Sequence, residues 1–588
     1  MKATSTGRHR FGALPALTAE DSSGSVAAPH EMSVSAGKAM LRLDGNAVDA
    51  AVAAALVAGV IEPGETTLAG SGFLLFNDPK TGVHEVDFGP ISPRLARPDM
   101  FEIDTDAAGP GVLGVAAVRG NANVDGPLAS CVPRTLSGLV RAHAQWGRLP
   151  LSVVMEPAIS AAEQGFAADT WFVMSASGSR DRLRRDPTAR SVFLQPDGTP
   201  IGADSMVHTG ASFVEGPRVR QNLLAATLRQ VAEEGPGVLL DGDIAHALVS
   251  SNNEAGGILS IADFAAAAPR IGVPRSLDIR DVTVSVPSAP SSGITQLQIL
   301  QTWSALYPDG SAGTRTASGL ADFAYAASHA FADRYHWLGD PDQVSVPVSA
   351  LLSSDYAREI ARQVHERIAV NPAAEAPWQL FSHHAAHDPW KFVDLPPVTW
   401  SPAGAPEPSS GTTHISVADK DGRTVSVTHT AANQFGSGVM CPRTGLLFDS
   451  AMAWFNPNPG SANSIRGGAR PLANMGPALV TSAGTSLLAV GASGGRRIIS
   501  AMAQILINYI DGPRDPNELL RIPRIDASGP SLIVHDNCPG DLETLVQMPT
   551  VRLSEPRPIY SIDLARPNLA APTASSTLSA IDAHGYSA

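Results

Sequence analysis

The sequence predicts an α/β protein in which helices precede and flank a strand-rich C-terminal part. Three observations predict it: two Ala-rich helical runs near the start, a hairpin pattern across residues 412–430, and a strand that leads into a helix between Ser486 and Tyr509.

Taken in order, Glu31 to Leu43 and Asn46 to Val60 read as helices broken by Asp44-Gly45. The second is almost wholly apolar, the pattern of a buried core helix. Phe73 to Phe76 and Val83 to Phe88 read as short strands around Asp78-Pro79-Lys80-Thr81-Gly82. Helical periodicity returns at Leu151 to Gly165, Arg218 to Glu234 and Leu320 to Trp337, with strand-like Val282 to Val286 between the last two. From Asn371 to Ser410 the pattern fades into Pro, Ala, Ser and His, and so long an irregular stretch is a linker or functional. Leu446 to Asp449, Pro477 to Thr481 and Ser486 to Gly491 read as strands, and Ile498 to Tyr509 as a helix entered after Gly494-Gly495.

The hairpin carries the chemistry. Thr413 to Ala418 and Thr424 to Thr430 alternate around Asp419-Lys420-Asp421-Gly422, an Asp-Gly turn signal. Pairing symmetric about Asp421 sets Thr412 opposite Thr430, with Cβ atoms roughly 5 Å apart. Upstream, Pro402 to Gly411 lacks apolar periodicity, and Gly411 has no side chain to block attack on its carbonyl. A cut between Gly411 and Thr412 would free an α-amine of pKa roughly 7.7–8.0, suited to act as base for its own residue's hydroxyl. The same residues also read as a strand that opens on two threonines, since Thr favours strands.

Composition bounds the function. The chain has 588 residues, 44% hydrophobic and 17% charged, as in a globular protein. A net charge of −14 argues against nucleic acid and anionic membranes as partners. Cys131, Cys441 and Cys538 are odd in number and far apart, so they read as buried free thiols. Residues 1–30 hold no uninterrupted apolar stretch before a cleavage site, and no later run reaches membrane-spanning length, which places the protein in the cytoplasm.

Other motifs compete. Gly491-Ala492-Ser493-Gly494-Gly495 fits G-x-S-x-G between strand and helix, with His535 or His584 available for a triad. No oxyanion-loop signature precedes it, and the better reading makes the amides of Gly494 and Gly495 an oxyanion hole. Gly109-Pro110-Gly111-Val112-Leu113-Gly114 matches G-x-G-x-x-G, but Pro110 spoils a helix opening and a loop is expected. His383, His384, His387 and Asp388 lack helical ligand spacing, so a solvated loop is preferred over a metal site; neither metal nor cofactor is expected.

The whole pattern resembles the γ-glutamyltransferase family of N-terminal nucleophile hydrolases over nearly the entire length. Asp44-Gly45-Asn46-Ala47-Val48-Asp49-Ala50-Ala51, Trp146-Gly147-Arg148-Leu149-Pro150, Pro157-Ala158-Ile159, Glu163-Gln164-Gly165-Phe166, Pro290-Ser291-Ser292-Gly293 and Leu338-Gly339-Asp340-Pro341-Asp342 carry it. Thr412-Thr413-His414, Asp419-Lys420-Asp421-Gly422, Arg470-Pro471-Leu472 and Gly494-Gly495 are the most specific. The resemblance implies a four-layer αββα sandwich and a precursor that cuts itself into a large subunit, 1–411, with residues 371–411 as linker, and a small subunit, 412–588. It also implies that Thr412 attacks a carbonyl carbon, Thr430 orients it, and Gly494 and Gly495 hold the oxyanion. A homodimer of the processed pair is among the assemblies it allows.

The glutamyl-specific residues depart from the family pattern. Asp87-Phe88 is followed by Gly89 where an Arg binds the α-carboxylate, and the two serines that share that carboxylate fall at Ala473 and Asn474. The residues that hold the α-ammonium fall at Ala451 and Trp454, and an Asn falls at Ala432, beside Asn433. A site without this clamp should not desolvate a zwitterion, and Trp454 offers a flat wall for a ring or conjugated chain. The expected substrate is a small molecule that is not γ-glutamyl. Relatives with altered pockets include cephalosporin acylases and homologues from lincomycin and pyrrolobenzodiazepine pathways, which remove an oxalyl unit by C–C hydrolysis while building 4-alkyl-L-proline precursors. The second fits the composition, which is rich in Ala, Gly and Pro and has Lys only at Lys2, Lys38, Lys80, Lys391 and Lys420, as in a GC-rich bacterial genome. Open alternatives are a glutathione-type γ-glutamyl hydrolase or transferase, an amide acylase, and a self-cleaving binding protein without activity.

Overall fold

The computed structural model describes residues 23–107, 111–112, 115–204, 217–368, 410–529, 531–553, 564–572, 577–581 and 586–587. Its centre is the hairpin of Ser410–Asp419 and Thr424–Asn433. Pairing is symmetric about Asp421 from Thr424 opposite Ala418 to Thr430 opposite Thr412, as the sequence predicts. A bulge then shifts the register so that Ala432 faces Gly411. The turn closes because Asp419 Oδ1 accepts from Asp421 N and Arg423 N, while Gly422 takes φ +79°, a region glycine enters without steric cost.

The hairpin forms the middle of a seven-stranded antiparallel sheet ordered Tyr586–Ser587, Gly24–Ala28, Ser410–Asp419, Thr424–Asn433, Ser71–Asp78, Gly82–Phe88, Arg270–Gly272. A second antiparallel sheet runs Thr577–Ile581, Arg566–Pro572, Thr485–Ser493, Ala478–Ser482, Val282–Val286, Arg275–Ile279. One helical layer, including Glu31–Arg42, Ala47–Ile61 and Leu151–Gln164, shares an apolar core with the first sheet. Another, including Gly293–Leu306, Ala317–Trp337 and Arg497–Ile510, does so with the second. The expected αββα order is therefore observed.

Alternation along the hairpin decides which face meets which layer. Ile415, Val417, Val425 and Val427 join the helical core. The opposite face, Thr412, His414, Ser416, Thr424, Ser426, Thr428 and Thr430, is polar yet fully buried, because it lies between the sheets. Its groups are paired across the gap: Ser426 Oγ donates to Val490 O (2.9 Å) and Asn568 Nδ2 to His414 O (2.7 Å). The ring nitrogens of His414 meet Thr428 Oγ1 (2.8 Å) and Ser416 Oγ (2.9 Å). Burial pushes its pKa down to about 3, so the ring is neutral.

The family-like motifs are mostly braces. Asn46 and Asp49 form a capping box on Ala47–Ile61, a helix buried over its whole length. Asp49 also accepts from Arg148 N and Leu149 N, and Asp419 Oδ2 accepts from Ala47 N, so the loop at 146–150, the helix start and the hairpin turn are tied together. Arg470 binds Asp340 and Asp87 in a buried ion network. Pro290 O accepts from Ala473 N, and Ser292 N donates to Met475 O, which fixes the 473–475 segment.

Two sequence expectations need correction. Leu446 to Asp449 forms only isolated bridges, because Leu447 O is taken by Thr67 Oγ1 and Phe448 pairs with Ser437 and Val439 in a local turn. The helix expected from Arg218 begins at Asn222, since Arg218–Val219 pairs with Phe166–Ala167 as a small strand. The helix after the paired glycines spans Arg497–Ile510, with Arg496 as its N-cap, within one residue of the expected Ile498 to Tyr509. The three cysteines are buried and free, as expected. The histidine-rich stretch around His383, the linker before Ser410, and residues 109–110 and 113–114 of the G-x-G-x-x-G match lie outside the described residues.

Gly491 faces His414 across the gap, and a Cβ there would lie 2.2 Å from the ring. Because both ring nitrogens are engaged, the ring has no free direction in which to move. Gly491→Ala is therefore expected to destabilise the fold by about 1–3 kcal/mol, read as a lowered thermal unfolding midpoint; an unchanged midpoint would contradict this packing.

Candidate active site

Three oxygens converge at the 411–412 bond. Thr412 Oγ1 donates to Gly411 O (2.7 Å) and lies 3.2 Å from Thr430 Oγ1. The Thr430 hydroxyl also donates to Gly411 O and accepts from Ala432 N at 2.8 Å. Two hydroxyls thus polarise one carbonyl, and the backbone amide of Ala432 fixes the direction of the Thr430 proton. Such donors, set before charge develops, stabilise an oxyanion strongly in a dry site. Thr412 is 2% exposed, so the site is dry.

Gly411 has a reason that the sequence reading lacked. A Cβ would lie 2.7 Å from Gly64 O and 2.8 Å from Glu65 O, so backbone packing, beyond access to the carbonyl, excludes a side chain. The same 62–65 turn holds the hairpin's bulge: Ala431 N donates to Glu65 O and Phe435 N to Pro63 O. Ala432 sits at φ +70°, a left-handed conformation that costs a residue with a Cβ about 1–2 kcal/mol.

Sequence reasoning missed the groups beneath the hairpin. Thr412 N donates to Glu65 Oε2 (3.0 Å), and Thr413 Oγ1 donates to Glu62. Burial pushes the Glu62 carboxyl up to about 8 and raises that of Glu65. Thr66 Oγ1 meets His429 Nδ1 at 2.6 Å, and burial drives that histidine down to about 3. Two carboxyls three residues apart at the end of an apolar helix were the only available signal.

The expected oxyanion glycines are at this end of the sandwich. Arg566 pairs in register with Ser493, the residue before Gly494, and its guanidinium binds Glu65 (3.1 Å), which links them to Thr412. Gly494 takes φ +132° and Gly495 φ +63°, and a Cβ on Gly494 would lie 2.7 Å from Ala565 Cα. The rival serine, Ser493, closes a strand and is 1% exposed, while His535 bonds Asn537; His584 lies outside the described residues.

The replaced clamp positions come together. Ala432, Ala451, Trp454 and Ala473 share one buried apolar cluster with Phe73 and Met475. Gly89 abuts it, since a Cβ there would lie 2.6 Å from Phe73 Cζ. The carbonyl of Gly89 accepts from Arg134, whose guanidinium is 3.5 Å from Asp87. The two asparagines are engaged elsewhere: Asn433 Nδ2 donates to Ser450 Oγ (2.9 Å), and Asn474 Oδ1 accepts from Arg334 (3.3 Å).

Two antiparallel sheets stacked between helical layers, with a threonine beside a glycine carbonyl on a central strand, define an N-terminal nucleophile (Ntn) hydrolase. The particular family follows from comparison: the gamma-glutamyltranspeptidase family model matches residues 33–543, and the chain belongs to that family. Glutathione hydrolase proenzyme from Pseudomonas sp. (strain A14) is 31% identical over 513 residues, covering 85% of this chain and 81% of that protein. Acylase ACY 1 proenzyme from Pseudomonas sp. (strain SE83) is 31% identical over 526 residues, covering 89% and 85%. Cephalosporin acylase from Bacillus halodurans shares the fold, with a TM-score of 0.76 at 22% identity over 100% of this chain and 98% of that one. Precursors of the family are self-processing, and its homologues act on small molecules.

Thr430→Val keeps the shape and removes the hydroxyl that donates to Gly411 O. Conversion of precursor to two chains is expected to slow by about 100-fold or more, followed on a denaturing gel; wild-type conversion would show that this hydroxyl is not needed.

Proposed function

We propose that Thr412 becomes an N-terminal nucleophile when the Gly411–Thr412 bond is cut, and that the mature enzyme removes an acyl group from a small molecule that is not γ-glutamyl. The observation that carries the second half is the apolar cluster in which Ala432, Ala451, Trp454 and Ala473 meet. An α-amino acid head placed there would lose water against alkyl and indole side chains instead of the family's clamp residues.

In this reading Thr412 Oγ1 attacks the substrate carbonyl and passes its proton to its own amine. Thr430 orients the hydroxyl, Gly494 and Gly495 hold the oxyanion, and water then releases the acyl group. Residues 1–411 and 412–588 form the two subunits, with the cytoplasm as the proposed compartment. The bond we assign is a C–C bond, cut to remove an oxalyl unit from a conjugated pyrroline on the way to a 4-alkyl-L-(dehydro)proline antibiotic precursor. Attack on the ketone carbonyl expels a carbon stabilised as an enolate or dienamine, which takes the proton, and water turns the acyl-enzyme into oxalate. A conjugated ring suits the Trp454 wall.

Amide hydrolysis is the second reading, favoured by 31% identity to Acylase ACY 1 proenzyme over most of both chains.

Purified, processed protein offered a conjugated 2-oxo acid pyrroline, a cephalosporin side-chain amide and a γ-glutamyl anilide is expected to release oxalate from the first and to turn over the anilide at least about 100-fold more slowly. Release from the amide alone would select the second reading. Ready anilide turnover without oxalate would overturn the non-glutamyl pocket.

A further inference from the structure

The turn between the helix Ala47–Ile61 and the strand Ser71–Asp78 sets Glu65 against the backbone of the nucleophile. Thr412 N donates to Glu65 Oε2 at 3.0 Å, and Oε1 lies 3.1 Å from Nη2 of Arg566. The two side chains are 3% and 12% exposed, and the guanidinium stacks 4.9 Å from the centre of the Trp171 ring. The carboxylate is therefore fixed between a buried cation and the nitrogen of Thr412.

We propose that, once the Gly411–Thr412 bond is cut, Glu65 is the positioning residue that holds the freed amine of Thr412 and, with Arg566 as counter-charge, sets that amine's affinity for a proton. The inference rests on the N-terminal nucleophile reading above. In the uncut chain the nitrogen is an amide and cannot take up a proton, so Glu65 only accepts its N–H. After cleavage the nitrogen must do more. As Oγ1 forms its bond to the acyl carbon, its proton passes to the amine, which becomes an ammonium. When the tetrahedral adduct collapses and the bond to the leaving group breaks, the ammonium returns that proton to the leaving group. Water repeats the sequence on the ester.

A carboxylate at hydrogen-bond distance favours the ammonium, and the Arg566 guanidinium opposes it. The other titratable groups around this point carry little net charge. Glu62 binds Thr413 from the same turn and burial raises its carboxyl to about 8, so it is mostly protonated below that pH and adds a negative charge above it, while His414 and His429 on the hairpin are neutral. Asp169 acts on Glu62 from a neighbouring helix start. Glu65, bonded to the Thr412 nitrogen, and Arg566, bonded to Glu65, are the charged pair in direct line with the amine.

The test is a titration of the amine itself. Processed protein labelled with [13Cβ]threonine is followed by NMR from about pH 5 to 10, the range around a chain-end amine, and the Thr412 signal is assigned by its absence in processed Thr412→Ser, which keeps a hydroxyl for the cut. Glu65→Gln is expected to lower the titration midpoint by at least one unit, about tenfold in proton affinity. Arg566→Gln is expected to raise it, and the double variant to lie between the two. A Glu65→Gln midpoint that coincides with wild type overturns the inference. Should Glu65→Gln not be cut, Arg566→Gln decides alone, and an unmoved midpoint there overturns it equally. Intact mass of the same samples separates the two levels: an uncut wild type refutes the N-terminal nucleophile reading, and this inference with it. A merely structural role for Glu65 would change cleavage or stability without moving the midpoint.

Discussion

The carbonyl of Gly411, held between the hydroxyls of Thr412 and Thr430, is the constraint on which the rest depends. Strand register sets it: Thr430 stands opposite Thr412, and one inserted residue then turns the chain so that Ala432 N points back at the Thr430 hydroxyl. A slip of one residue would send Thr412 to the helical face and put Thr413 between the sheets. The buried polar inner face, with His414 locked at both ring nitrogens and Asn568 reaching across, makes such a slip costly because every hydroxyl would lose its partner.

Around this fixed point two sets of residues have different fates. The groups that touch the Gly411–Thr412 bond are two hydroxyls on one carbonyl, and the motifs shared with the family turn out largely to brace them. Asp49 holds the helix start and the loop after Trp146, and Arg470 ties Asp340 to Asp87. The positions that the resemblance aligns with an amino-acid clamp hold Ala432, Ala451, Ala473 and Trp454, which pack in one buried apolar cluster. In the proposed reading, reaction type and substrate choice are carried by separate side chains, so one can change while the other stays.

Much of this was legible in the sequence. The hairpin was readable because period-2 alternation and an Asp-Gly turn agree, and the observed register matches the pairing sum. Clamp positions were assigned only through likeness to a family, since nothing local in Gly89 or Ala473 marks a pocket. Glu65 and Arg566 were not readable: they lie 501 positions apart (566 − 65) and meet only through the stacking of two sheets. Leu446 to Asp449 misled for a related reason, as its apolar residues fill the core while its backbone groups pair within a turn.

The most direct test of the account is the intact mass of purified wild type beside Thr412→Ala. From 61.0 kDa over 588 residues, cleavage before Thr412 gives chains of about 43 and 18 kDa. Both chains in the wild type, with threonine at the start of the smaller, and a single uncut chain in the variant are the predicted result. An uncut wild type, or a cut at the same bond in Thr412→Ala, would contradict the claim that the Thr412 hydroxyl is the nucleophile.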